Sequence, residues 1–243
     1  MRNEEDMNRG DSLPISGILR ERISCRSFLP QPVDPQILRK VLEDAQRAPS
    51  NKNGQPCHVF IASGETRIQL EAQLVDMAAT SLQAVRGNGS DPNMQGDFPG
   101  RYVELDGVYK ERQYGAARAL YGALGVQRAD MQGRVDAMLA NWRFFGAPHV
   151  AFFAMDRRFG LMPAVDVGIY AQTLALLMAE RGISSCMQGA LGSFSAPVRM
   201  AFNVSDQLGI LFGMSFGYSD TTAPVNRART ERASLADVVF IRD

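Results

Sequence analysis

The chain has 243 residues, and its 26 Lys+Arg balance 26 Asp+Glu to a formal charge of zero. That length buries roughly 70–75 % of the unfolded surface without staples, and the neutral balance excludes the basic excess expected of a nucleic-acid binder. Apolar residues make up 45 % and charged residues 21 %, which excludes whole-chain disorder.

In chain order, residues 1–12 read as a polar, flexible arm, and 13–243 as one domain. Ile15, Ile18 and Leu19 start a short helix ending near Arg22. Asp34-Pro35 opens a clear helix, with Asp as N-cap and Pro at the first position. Its apolar set Ile37, Leu38, Val41, Leu42 and Ala45 defines one buried stripe. After Ala48-Pro49 comes a polar loop, Ser50 to Pro56, then a buried strand at Val59–Ala62. The pattern predicts a helix over 65–86 and a Gly- and Pro-punctuated loop over 87–105, a length that points to function.

Helices are predicted over 106–124 and 128–142, and a strand over His149–Ala154. An apolar helix runs from Asp166 to Arg181, closed by Gly182. A short helix follows Ser195-Ala-Pro197, then the strand Leu208–Phe216. Residues 219–243 form a C-terminal arm whose segment Val238–Ile241 reads as a last strand. About four or five strands without strict βαβ alternation indicate an α+β class.

Cysteine and histidine usage removes further options. Cys25, Cys57 and Cys186 are an odd, sparse set, and with only His58 and His149 no spaced ligand pairs exist. Neither a disulfide framework nor a metal site is expected. The polar first fourteen residues lack the apolar region of a signal peptide. No apolar run reaches the ~18 residues of a membrane span. The expectation is a cytoplasmic protein with no membrane or nucleic-acid partner.

Gly213-Met-Ser215-Phe-Gly217 matches the G-x-S-x-G nucleophile elbow. That elbow needs a strand–turn–helix context with Asp and His following in the chain. Here both histidines precede Ser215 and no helix opens after it, so small residues in a packed strand are the better reading. No dinucleotide fingerprint and no P-loop is present.

Arg22-Ile-Ser24-Cys-Arg26 offers another way to hold a phosphate. In an extended segment residues 22, 24 and 26 share one side. Two guanidinium forks and a hydroxyl then converge, a donor set suited to phosphate oxygens. The loop Ala48–Pro56 is dense in amides and hydroxyls that can bond the polar edge of a planar heterocycle.

The order R-x-S-x-R, a helix opening D-P, then A-P-S-x-x-N-x-Q-P before a strand resembles the FMN-dependent nitroreductase family. The helix 166–183, the segment Leu211–Asp220 and the closing stretch Arg232–Val238 agree with it, in the family's order. Segments within 98–148 resemble the subgroup that reduces nitrobenzoates and related nitroaromatics.

The resemblance implies a three-layer α+β fold, with a mostly antiparallel sheet flanked by helices and a C-terminal arm reaching onto a partner protomer. It implies a homodimer with FMN at the interface. Arg22, Ser24 and Arg26 would hold the phosphate end, joined by Arg232 and Arg229 from the C-terminal arm. Pro49, Ser50, Asn53 and Gln55 would reach the flavin from the partner. Gln188, Gly189 and Ala190 fall where a backbone N–H meets flavin N5. Family members often carry an acidic residue before that glycine, where this chain has Gln188, and a Trp where it has Cys57.

Phe98 and Tyr102, in the loop over the site, would contact substrate. The implied activity is ping-pong reduction of nitroaromatics to nitroso and hydroxylamine products, with NADH or NADPH as donor and no catalytic side chain. A reductive dehalogenase of the same family and a non-catalytic flavin-binding dimer remain as alternatives.

Overall fold

The protein is represented by a computed structural model that describes residues 14–88, 94, 96–98 and 104–242. The expected arm 1–12 therefore lies outside the described residues, as do Tyr102 and most of the predicted loop 87–105.

Strand β2, His149–Asp156, is buried at every position through Met155. Alternate side chains of a strand point to opposite faces, so a strand buried throughout has a layer on each side. Val150, Phe152 and Ala154 face one core with Leu70, Leu74 and Phe194. Ala151, Phe153 and Met155 face a second core with Val41, Leu174 and Met178.

The sheet has four antiparallel strands in the order β1-β2-β4-β3. β1 is His58–Ser63, β3 is Ser184–Gln188 and β4 is Leu208–Gly217. Between β2 and β4 the register steps from Phe153↔Phe212 to Ala154↔Ile210. The extra residue reverses the facing parity of β4. Ile210 thus joins the first core, while Met214 and Phe216 join the second.

Helix α1 spans Ile15–Glu21 and α2 spans Pro35–Ala45. The Asp34 carboxylate accepts the N–H groups of Gln36 and Ile37, as the N-cap reading expects; such a cap contributes about 1 kcal/mol. Val41 and Ala45 are fully buried, but Ile37 is exposed, so the stripe is narrower than its composition suggests. β1 is an edge strand in which only Ala62 is buried, which corrects the expectation of a wholly buried strand.

Helix α3, Gly64–Asn88, extends through residues 87–88, which the sequence pattern assigned to the loop. α4 is Gly107–Leu124 and α5 is Met131–Leu139. α7 is Ser195–Phe202.

Helix α6, Leu161–Glu180, starts five residues before Asp166 and is longer than expected. Among the described residues it is the one helix long and apolar enough to cross a membrane, a correction to the expectation that no such run exists. It packs on β2, β3 and α2, as the core helix of a layered fold does. Gly182, at φ +70°, turns the chain out of it, and Ile183 N–H bonds back to Met178 O at 2.9 Å.

The predicted strand Val238–Ile241 is absent. Ser234 and Asp237 form a reciprocal capping box that nucleates the short helix α8, Leu235–Val238. Residues 239–242 pair with no strand, and Phe240 is 84 % exposed.

Candidate functional site

The segment after α1 runs beside β3. Ser24 bridges Ser185, and Cys25 N–H donates to Ser185 O at 3.1 Å. Cys25 is fully buried while Arg22, Ser24 and Arg26 are half-buried on the other side, as the period-two reading expects. Ile23, expected to face the core, is only half-buried.

The C-terminal arm meets this segment through Asn226. Its amide accepts from Arg26 N–H at 2.7 Å and donates to Ser27 O at 2.8 Å and Asp220 O at 2.9 Å. Arg229 is steadied by a bond to Asn226 O at 2.8 Å.

The result is a cavity of about 450 Å3 lined by Arg22, Ser24, Arg26, Arg229 and Arg232 together. All five predicted donors meet in one place. Arg20, in the last turn of α1, joins them, and no acidic side chain among the described residues lines the cavity. The opposite wall is formed by small residues of α4, among them Ala116 and Ala117. Five guanidinium groups and a hydroxyl with no carboxylate between them fit a phosphate monoester.

Arg26 and Leu120 also line an adjoining cavity of about 310 Å3 with mostly apolar walls, including Val126 and Phe145. Asn141 supplies an amide at its edge. Gln188 Nε2 donates to Asn141 O at 2.8 Å, and Gln188 Oε1 accepts the hydroxyl of Ser215. Gln188 is 3 % exposed, so its side chain is directed into the protein. What it leaves at the surface is the turn that follows, where Gly189 is exposed and Ala190 half-buried. Arginine-lined and apolar cavities joined at Arg26 fit a phosphorylated ligand with a planar ring.

Ser215 is fully buried and bonded to Gln188. His149 accepts Val33 N–H at 2.9 Å through Nε2, and its Nδ1 meets Ser63 Oγ at 2.5 Å. The nucleophile-elbow match is thus a packed strand. Burial holds all three thiols protonated, with Cys57 pushed up to about 12 and Cys186 to about 11. No cysteine is poised as a nucleophile.

Pro49, Ser50, Asn53 and Gln55 lie elsewhere, in a turn before β1 that does not line the arginine cavity. Lys52, Asn53 and Gln55 have φ of +52°, +54° and +45°. Such left-handed backbone costs free energy and persists where surroundings hold it. Here Asp166 accepts Asn51 N–H at 3.0 Å, and Ser50 Oγ accepts Gln55 N–H at 3.0 Å. The amide-rich tips stay exposed.

Phe98 lies against Gly209, where even a Cβ would come within 2.7 Å of its ring, and it packs into the second core. The structure does not bring it to either cavity. Asn141 and Arg20 are contributors that sequence reading missed. Arg20 was discoverable from the density of charge over residues 20–26; Asn141 carries no local signal.

Fold and site together define a class: an α+β protein whose terminal segments close a cavity of arginines, a donor set that fits a phosphate, beside an apolar slot. The sequence profile of the Nitroreductase family matches residues 19–218, and the chain belongs to that family. It is 38 % identical over 220 residues to nitroreductase NfnB of Mycolicibacterium smegmatis, covering 90 % of this chain and 89 % of that protein. It is 33 % identical to a 4-nitrobenzoate reductase of Nocardioides sp. strain LMS-CY, covering 94 % and 90 %. The crystal structure of FMN-dependent NfnB from Mycobacterium smegmatis in complex with NADPH superposes with a TM-score of 0.84 at 36 % identity, covering 94 % of this chain and 97 % of that one.

Proposed function

We propose that this protein is an FMN-dependent NAD(P)H nitroreductase that reduces nitroaromatic compounds and works as a homodimer. The observation that carries the reading is the convergence of Arg22, Ser24, Arg26, Arg229 and Arg232 on one cavity that opens, at Arg26, onto an apolar slot. Relatives described as FMN- and NADPH-dependent nitroreductases and as nitrobenzoate reductases support it.

The chain's own residues bind and orient. The arginines neutralise the phosphate dianion, and Ser24 adds a hydroxyl donor. Gln188 bonds Asn141 in the wall of the slot and so fixes the end of β3, from which the Gly189–Ala190 turn would offer a backbone N–H to the ring. When bound, FMN would supply the hydride-transfer chemistry that links the nicotinamide to the nitro group. Each cycle consumes one NAD(P)H and a proton. The first converts nitro to nitroso with loss of water, and the second converts nitroso to hydroxylamine.

The dimer is supported by apolar surface left uncovered in one chain. Leu161, Met162, Val165 and Ile169 form an exposed stripe on α6, and Leu235, Phe240 and Ile241 are exposed in the C-terminal arm. Patches of this kind mark association. In such a dimer Pro49, Ser50, Asn53 and Gln55 would reach the partner's cofactor. The cytoplasm is the proposed location.

Purified protein is expected to be yellow, to bleach with NADPH and to regain colour with a nitrobenzoate. Initial-rate lines against both substrates are expected to be parallel. Protein purified and reconstituted without any flavin uptake would contradict the reading.

A further inference from the structure

Helices α4 and α5 enclose a larger cavity of about 680 Å3 beside the two already described. It shares Ala117 with the arginine cavity and Val126 with the apolar slot. Tyr114, Arg118 and Tyr121 line it from α4 at spacings that place them on one helix face. Arg128 enters from the connecting turn and Arg134 from α5. The Arg134 guanidinium lies 5.5 Å over the Tyr121 ring.

The charge here is uncompensated. Among the described residues no Asp or Glu lines the cavity. Among the described residues Arg39, Arg67, Arg157, Arg158, Arg181 and Arg199 are all paired with carboxylates, whereas Arg118, Arg128 and Arg134 are not. Three guanidinium groups are grouped with two tyrosine rings in a volume typical of a small-molecule site. Forked donors suit a phosphate monoester, and aromatic faces suit a purine.

We infer that this cavity takes the adenosine 2′-phosphate end of the hydride donor, so that Arg118, Arg128 and Arg134 select NADPH over NADH. The inference rests on the proposed function, which requires a nicotinamide stacked against the flavin ring at the mouth of the apolar slot. A dinucleotide extended from that slot past Val126 brings its adenosine to α4. The phosphate of FMN already has its own arginines, so this second group has a different anion to meet.

The test uses the FMN-loaded protein and the double variant Arg118→Gln/Arg134→Gln. Wild type is expected to prefer NADPH. The variant is expected to raise KM for NADPH by about tenfold or more, with kcat and the NADH kinetics unchanged. Arg118→Lys/Arg134→Lys is expected to recover part of the loss. By calorimetry, adenosine 2′,5′-bisphosphate is expected to bind wild type and not the glutamine variant. Equal changes for NADPH and NADH, or equal binding of the bisphosphate by both proteins, would overturn the inference. Failure to oxidise either donor would overturn the proposed function instead, while the calorimetric comparison would still decide whether the cavity holds the bisphosphate.

Discussion

The side-chain oxygen of Asn226 accepts the backbone N–H of Arg26 at 2.7 Å, joining segments 200 residues apart. Asn226 is 6 % exposed, and its amide nitrogen is spent on three further acceptors: Ser27 O, Asp220 O and Ser219 Oγ. This one side chain keys the arm that carries Arg229 and Arg232 to the segment that carries Arg22 and Arg26. Asn226→Ala leaves the Arg26 N–H unpaired and removes the side-chain link between the two segments, which costs about 1–3 kcal/mol. Lower thermal stability together with weaker flavin retention is expected; a stable variant with full flavin would show that the arm is placed by other contacts.

Gly213 pairs with Gln188 across β3 and β4. A Cβ there would lie 2.7 Å from Leu191 Cδ1 and 3.0 Å from the backbone of Ala151. Gly213→Ala therefore forces β4 and the Gly189–Gly192 turn apart, at about 1–3 kcal/mol. Urea denaturation is expected to show that loss, and the visible flavin spectrum is expected to shift because Gln188, which pairs with Gly213, bonds Asn141 in the wall of the slot.

His149 is a buried neutral imidazole. Its Nε2 accepts Val33 N–H, so the ring proton sits on Nδ1 and is donated to Ser63 Oγ. Burial holds its pKa below the ordinary 6.5. An unfolded chain takes up a proton near that ordinary value while the folded one resists it. The contribution is thus fully present above about pH 6.5 and is lost as pH falls toward the folded value. Urea midpoints at pH 7.5 and 5.5 are expected to differ more in wild type than in His149→Gln. An identical difference would remove His149 as the cause.

Ser215 donates its hydroxyl to Gln188 Oε1 in a fully buried setting. Ser215→Ala leaves that oxygen unpaired and is expected to cost about 1–3 kcal/mol in urea denaturation. Neither form is expected to hydrolyse a nitrophenyl ester. Esterase activity lost with Ser215 would restore the nucleophile reading.

Local rules made much of this fold legible. Asp34-Pro35 announces α2 because a cap is a contact between near neighbours, and Gly182 announces the end of α6 for the same reason. Arg22, Ser24 and Arg26 could be grouped because alternation is a property of the backbone alone. What escaped depends on distant contacts. Asn141 is placed in the wall of the slot by the packing of α5 and is tied to β3 through Gln188. The direction of the Gln188 side chain depends on Ser215, which lies on another strand. The arm at 238–241 has the composition of a strand, but no strand edge among the described residues takes it, and a capping box wins locally. Phe98 was assigned to the substrate from its place in a long loop, whereas Gly209 supplies a seat for its ring.

The central claim is that Arg22 and Arg26, with Arg229 and Arg232, hold the phosphate of FMN. The most direct measurement is flavin content per chain, by absorbance and released phosphate, in wild type and in Arg22→Ala/Arg26→Ala. The account predicts yellow wild type and a folded, colourless double variant with unchanged circular dichroism. A double variant that keeps full flavin occupancy would contradict it.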